Sequence, residues 1–167
     1  MESRVKLLGH PVHPMLIVLP LGLFIAAVVF DAVYLWRDVE TLATVGYWNM
    51  AGGIIGGLLA AVFGLMDWLA IPRGTRAKRI GLLHGLTNVV VVALFATVWM
   101  LRSRMANPAP TMNTFAIEVA ALVLGAVAGW LGGELVDRLG VGVDDGASLD
   151  APSSLSRRPA RVRSTLP

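Results

Sequence analysis

Four stretches of this chain are longer and more apolar than the rest of it can cover. Met15–Leu35 carries a single charge, Asp31, and Leu42–Ile71 carries only Asp67. Ile80–Leu101 carries none, and Phe115–Leu135 has Glu118 near its start and Glu134 at its end. At about 1.5 Å of rise per residue, each is long enough to cross roughly 30 Å of hydrocarbon as a helix. Backbone groups in lipid must be satisfied within the segment, and none of the runs shows the two-residue alternation of a membrane β-barrel. The sequence therefore predicts an all-α, four-transmembrane-helix bundle, with helices near 15–35, 42–71, 80–101 and 115–135. Trp48 and Trp68 fit the two interfaces of the second span, being about 30 Å apart along a helix.

Composition agrees where it can be tested. Only 15% of residues are charged, against about a quarter in soluble domains. The chain has no cysteine, which excludes disulfides, thiolate nucleophiles and iron–sulfur ligation. Arg4 and Lys6 resemble the charged start of a signal peptide. The apolar run behind them is too long for one and holds Pro20 and Asp31, so a retained span is expected.

Lysine and arginine set the orientation. Eleven fall on the side of the N-terminus, the second loop and the C-terminal tail, and three (Arg37, Arg102 and Arg104) on the other. The positive-inside rule then places both termini in the cytoplasm. The net charge of +3 is this bias and needs no nucleic acid. Residues 1–143 read as one membrane domain. Residues 144–167, rich in Ser, Pro, Asp and Arg, read as a disordered basic tail. The partners this reading admits are the lipid bilayer, a redox or other membrane protein, and a second copy of the chain.

Small residues mark the helix contacts. Gly53, Gly56, Ala60 and Gly64 form a stripe on the second span, and Gly125, Gly129 and Gly132 recur on the fourth. Such faces let helices approach closely, and can also make room for a flat cofactor.

Ionisable groups inside a bilayer are costly, so each is a candidate site. His10, His13, Asp67, His84 and Glu134 all fall in the cytoplasmic leaflet, with Asn88 one turn beyond His84. Asp31, Asn49 and Glu118 form a second polar set in the outer leaflet. His10-Pro11-Val12-His13-Pro14 reads as a rigid lead-in, because each proline fixes its own φ and biases the residue before it. His13 and His84 are candidate axial ligands to a haem b. Alternatively, His13, Asp67 and His84 are candidate ligands to a metal such as iron or zinc. His10, Asn88 and Glu134 would be supporting polar groups. All the histidines lie in one leaflet, which excludes a pair of bis-histidine haems stacked across the membrane.

The runs GHPVHPMLIVLPLGL, FDAVYLW, LMDWLAIPRGTRAKRIGLLHGLTN and GWLGGELVDRLGVGV resemble the bacterial membrane proteins grouped as domain-of-unknown-function family 2231. The likeness covers residues 8–143. It implies a four-helix membrane domain without a stated activity, and an association with redox partners. Ile17-Val18-Leu19-Pro20 departs from the His-Phe-Pro-like run expected there.

Three functions remain open: a haem- or metal-binding protein of membrane electron transfer, a structural or accessory membrane subunit without a cofactor, and a small proton-linked transporter. The apolar centre of the bundle offers no polar step for a transport path. Hydrolysis is disfavoured, since the chain lacks Gly-x-Ser-x-Gly, His-Glu-x-x-His and a phosphate-binding glycine loop.

Overall fold

The structure, a computed structural model, describes residues 1–105 and 107–156. A two-residue hairpin opens the chain. Strand β1 (Lys6–Leu7) pairs antiparallel with β2 (His10–Pro11), Lys6 opposite Pro11 and Leu7 opposite His10. Leu8 and Gly9 turn it with φ of 52° and 86°, the left-handed pair that a tight hairpin requires. Of the rigid lead-in expected over the two His-Pro pairs, His10-Pro11 lies in this hairpin, whereas His13-Pro14 already lies in the helix that begins at Val12.

Five α-helices follow: α1 (Val12–Leu16), α2 (Val18–Arg37), α3 (Glu40–Ala70), α4 (Arg76–Ser103) and α5 (Met112–Gly133), which ends in a π-helical turn over Glu134–Arg138. Segments 12–37, 40–70, 76–103 and 112–138 are four helices long and apolar enough to cross a membrane. Each overlaps an expected span, the second with nearly the same length and the other three longer by a few residues. The break between α1 and α2 falls at Ile17. Pro20 has no N–H for the Leu16 carbonyl, so the helical ladder is interrupted there.

Local chemistry fixes the ends. Asp38 stops α2 in the left-handed region and donates its N–H to Tyr34 O at 2.7 Å, as a short polar side chain tolerates. Thr75 caps α4 by accepting from the Lys78 N–H at 3.1 Å. Thr111 and Thr114 cap α5 reciprocally.

The helices pack mainly as α2 on α3 and α4 on α5, with α3 joining the two pairs against α4. Phe24, Ala27, Val28, Met50, Val91, Phe95, Val98 and Ala121 fill the centre. Gly53 is required there, because a Cβ on it would lie 2.6 Å from the Phe24 ring. The outer surface is apolar, with Leu21, Val29, Ile55, Leu58, Val62, Val89 and Val123 exposed, while Asp31, Arg102 and Glu118 are fully buried. That inversion suits a bundle whose solvent is lipid.

The N-terminal residues and the segment that follows the π-helical turn meet at one end of the bundle. The Met1 ammonium donates to Gly140 O at 3.0 Å, and Gly142 N–H returns to Met1 O at 2.9 Å. Lys6 bridges Glu2 at 2.6 Å and Asp144 at 3.2 Å. Of the tail expected over 144–167, the stretch to Ser156 runs in turns against the hairpin, with Ser154 Oγ 3.3 Å from His10 Nε2. Arg157, Arg158, Arg161 and Arg163 lie outside the described residues.

Candidate functional site: two facing histidines and a buried charge cluster

His13 and His84 come together. Their ring centroids are 6.3 Å apart and their planes meet at 88°. The two are seated in the same way. His13 Nδ1 lies 2.9 Å from Ala60 O on α3, and His84 Nδ1 lies 2.9 Å from Ala128 O on α5. One turn beyond each carbonyl stands a glycine that the ring covers. A Cβ on Gly64 would fall 2.8 Å from His13 Cε1, and one on Gly132 would fall 3.2 Å from His84 Cε1. An Ala-x-x-x-Gly seat thus receives a histidine twice. The small stripes of α3 and α5 are the floors of these seats.

A carbonyl oxygen only accepts, so Nδ1 carries the proton in both rings. Nε2 is then the nitrogen left to accept a proton or hold a metal. The His84 Nε2 has the Asn88 amide 3.3 Å away, and that amide also donates to His84 O at 2.9 Å. His13 Nε2 has no hydrogen bond among the described residues. Thr87, on the same face by sequence, bonds back to Leu83 O in its own helix.

Asp67 is engaged elsewhere. Both of its oxygens accept from Ser3 Oγ, at 2.7 and 2.8 Å, and Oδ1 also accepts the Arg4 N–H at 2.7 Å. The carboxylate fastens the N-terminal segment to the end of α3. Glu134 pairs with Arg76 at 2.5 Å, tying the π-helical turn to the start of α4. His10 is exposed and faces Ser154. Among the described residues, no group of three or more His, Asp or Glu side chains is gathered to hold a metal ion. Of the trio His13, Asp67 and His84, the two histidines meet.

At the far end, Asp31 and Glu118 both meet a residue that sequence reasoning placed in a loop. Arg102 lies within the last turn of α4, one residue before its end, and is fully buried. Its guanidinium donates to both oxygens of Asp31 on α2, to Glu118 Oε1 on α5 at 3.4 Å, and to Ala43 O on α3 at 2.9 Å. Its Nε donates to Pro108 O at 2.8 Å. One side chain therefore ties α2, α3, α5 and the following loop to α4. The Tyr47 ring lies 5.8 Å from this guanidinium and stacks on Trp99. Asn49 is half-buried on α3 and makes no side-chain hydrogen bond among the described residues.

The two layers share a register. His13 faces His84, Phe24 stacks on Phe95, and Asp31 pairs with Arg102. In each couple the second residue follows the first by 71 positions. Helices α1 and α2 together correspond to α4, and the seats on α3 and α5 correspond at a spacing of 68. The bundle is thus two helical hairpins in approximate two-fold relation about an axis along the helices. No repeat is evident in the sequence, because the matched residues share only scattered identities, His13 with His84, Phe24 with Phe95 and the Ala and Gly of the two seats among them.

No curated protein and no solved structure matches the chain. Residues 9–145, which hold the whole helical bundle, match the family described as "Predicted membrane protein (DUF2231)", and the chain belongs to that family.

Proposed function

We propose that this multi-pass protein holds a transition metal, as haem b or as a bare ion, between His13 and His84, and carries electrons within a bacterial inner membrane. The observation that supports this most is the seating of the two rings. Each gives its Nδ1 proton to a backbone carbonyl, the arrangement that fixes ring orientation and raises the basicity of the other nitrogen in metal-binding histidines. They come from different helices of the bundle, where cofactors between facing helices are commonly held. Two imidazole nitrogens at about 2.0–2.1 Å from one metal would leave their ring centroids on the order of 6 Å apart, comparable with the 6.3 Å observed. Asn88 would have to yield its place beside His84 Nε2, and Asp67 is engaged by Ser3 and Arg4. The two histidines are therefore the protein ligands of this reading.

Topology follows the same proposal. With Arg102 buried in the bundle, only Arg37 and Arg104 remain, among the described residues, as basic residues at the Asp31 end. The positive-inside bias then favours cytoplasmic termini more strongly than the sequence count alone. The redox partner would meet the histidine end.

A second reading, an accessory subunit without a cofactor, draws support from the Asn88 amide beside His84 Nε2. With that contact the ring is satisfied within the chain and serves as a fastener between α4 and α5. The experiment is an absorbance spectrum of the detergent-purified protein, oxidised and reduced, with metal analysis on the same sample. A Soret band that sharpens on reduction and is lost in His13→Ala and His84→Ala supports haem. A stoichiometric metal without the band, lost in the same variants, supports the bare ion. A colourless, metal-free protein expressed with haem and metals supplied rejects the first reading and leaves the accessory one.

A further inference from the structure

We propose that Glu118 is a proton-binding site: it holds a proton at neutral pH, as the neutral member of the Asp31–Arg102–Glu118 cluster. This site lies at the opposite end of the bundle from the histidines and does not depend on the proposed cofactor.

The argument begins with charge. One guanidinium meets two carboxyl groups, and all three side chains are fully buried. With both acids ionised, the cluster would carry a net negative charge out of contact with water. An uncompensated buried charge is far more costly than a neutral polar group, and such groups shed it by binding a proton.

Geometry chooses which acid. Asp31 receives both terminal nitrogens of Arg102, one on each oxygen, the bidentate pairing that suits a carboxylate. Glu118 receives one long contact of 3.4 Å on Oε1. Its Oε2 is buried with no hydrogen-bond partner among the described residues. Arg102 has no donor left for it, since its other contacts go to Ala43 O and Pro108 O. An ionised oxygen in that position would be buried with no donor from the described residues, whereas the neutral acid leaves no charge to balance.

Among the described residues no second cation pairs with Glu118. The titratable groups around it are Asp31 from α2 and Arg102 from α4, and the Tyr47 ring of α3 lies 5.8 Å from that guanidinium. On its own helix the nearest buried polar residue is Thr114, which is occupied in the α5 cap. Glu40, at the start of α3, accepts from Asn107 at 2.7 Å. In the two-fold register of α3 and α5, the position matching Glu118 is Met50, which is buried and apolar. The acid is thus an addition to one half of the bundle, beyond what the ion pair across the axis requires.

The test is infrared spectroscopy of the purified protein in lipid at neutral pH, unlabelled and with [13C]glutamate, alongside Glu118→Gln. The expected result is a C=O stretch of a protonated carboxylic acid, well apart from the carboxylate bands. It moves on glutamate labelling, is absent from E118Q, and gives way to carboxylate as the pH is raised. Absence of the band from wild-type protein overturns the proposal, as does its persistence in folded E118Q. A band that moves only on [13C]aspartate labelling puts the proton on Asp31 and also overturns it. The labelling arms use the wild-type chain, so they decide the matter even where E118Q fails to fold.

Discussion

Phe24 and Phe95 lie flat on one another, centroids 4.0 Å apart and planes within 2°. Each stands eleven positions after a histidine of the facing pair and seven before a member of the buried ion pair. The stack is the middle of three contacts made across one axis. It separates a layer that offers imidazole from a layer that locks charge. No polar residue bridges them in the buried core, whose members are Phe, Val, Ala and Met.

Removing Arg102 should damage the fold more than removing any other single side chain. Arg102→Met leaves Asp31 buried without its partner, which typically costs about 3–5 kcal/mol. Asp31 and Arg102 occupy equivalent positions of the two halves. The exchange Asp31→Arg with Arg102→Asp should therefore regain part of the loss, but not the contacts to Ala43 O and Pro108 O. Thermal unfolding in detergent checks this; an exchange variant no more stable than Arg102→Met would contradict the register.

The seat glycines should be intolerant of even one carbon. Gly64→Ala and Gly132→Ala push a methyl group into His13 and His84, and overpacking of this kind costs about 1–3 kcal/mol. Around Gly85 and Gly129, by contrast, a Cβ would meet nothing within 4 Å. Alanine at either should be neutral or stabilising, by up to about 1 kcal/mol, as expected when glycine is replaced within a helix. Melting temperatures of the four variants in one detergent give the comparison.

At the core, Gly53→Ala should displace the Phe24 ring, which has no room for the added methyl group. The expected outcome is a loss of stability of about 1–3 kcal/mol. The near-ultraviolet circular dichroism of the aromatic core should change with it. An unchanged spectrum with unchanged stability would mean that α2 and α3 are less closely packed than described.

The docking of the tail should be sensitive to pH at both extremes. The Gly146 N–H first, and then Lys6, hold the Asp144 carboxyl below its usual range. Its contribution is therefore present above the unfolded carboxylate value, about 3.9, and is lost as pH falls through the lower folded value. The Glu2 carboxylate, against some desolvation and with help from Asp144, raises Lys6. That contribution is complete below the ordinary lysine value and disappears as pH climbs through the raised one. Protection of the amides of residues 140–148, taken as hydrogen exchange relative to its intrinsic rate at each pH, should be greatest between these limits and fall at pH 3. Asp144 is exposed and Lys6 half-buried at the end of the bundle, so the change should be local and leave the bundle intact.

Most of the architecture is legible in the chain. Length and hydropathy are enough for the four spans, since lipid leaves a long apolar segment no alternative to helix. The nearness of His13 to His84 follows from sorting polar residues by depth, and the small stripes of α3 and α5 announce close contact. What they contact is less visible. A glycine does not say which side chain will cover it, and the histidines bear no fixed spacing to Gly64 and Gly132. Arg102 reads as a loop charge because it closes an apolar run, and only the packed bundle reveals that Asp31 and Glu118 turn toward it. Asp67 lies at the depth of the histidines, yet Ser3 and Arg4 reach it first through a hairpin too short to stand out from the sequence. The register of 71 escapes notice because one of its three couples is an acid matched with a base.

The interruption at Pro20 gives the histidine pair unequal mountings. His84 is built into a continuous rod of 28 residues, whereas His13 rides on a five-residue segment joined to α2 at Ile17. A guest arriving between the rings would find one jaw fixed and one on a pivot. Any widening of the gap would be taken up by α1 and the hairpin before it, while the aromatic stack and the ion pair beyond stayed closed.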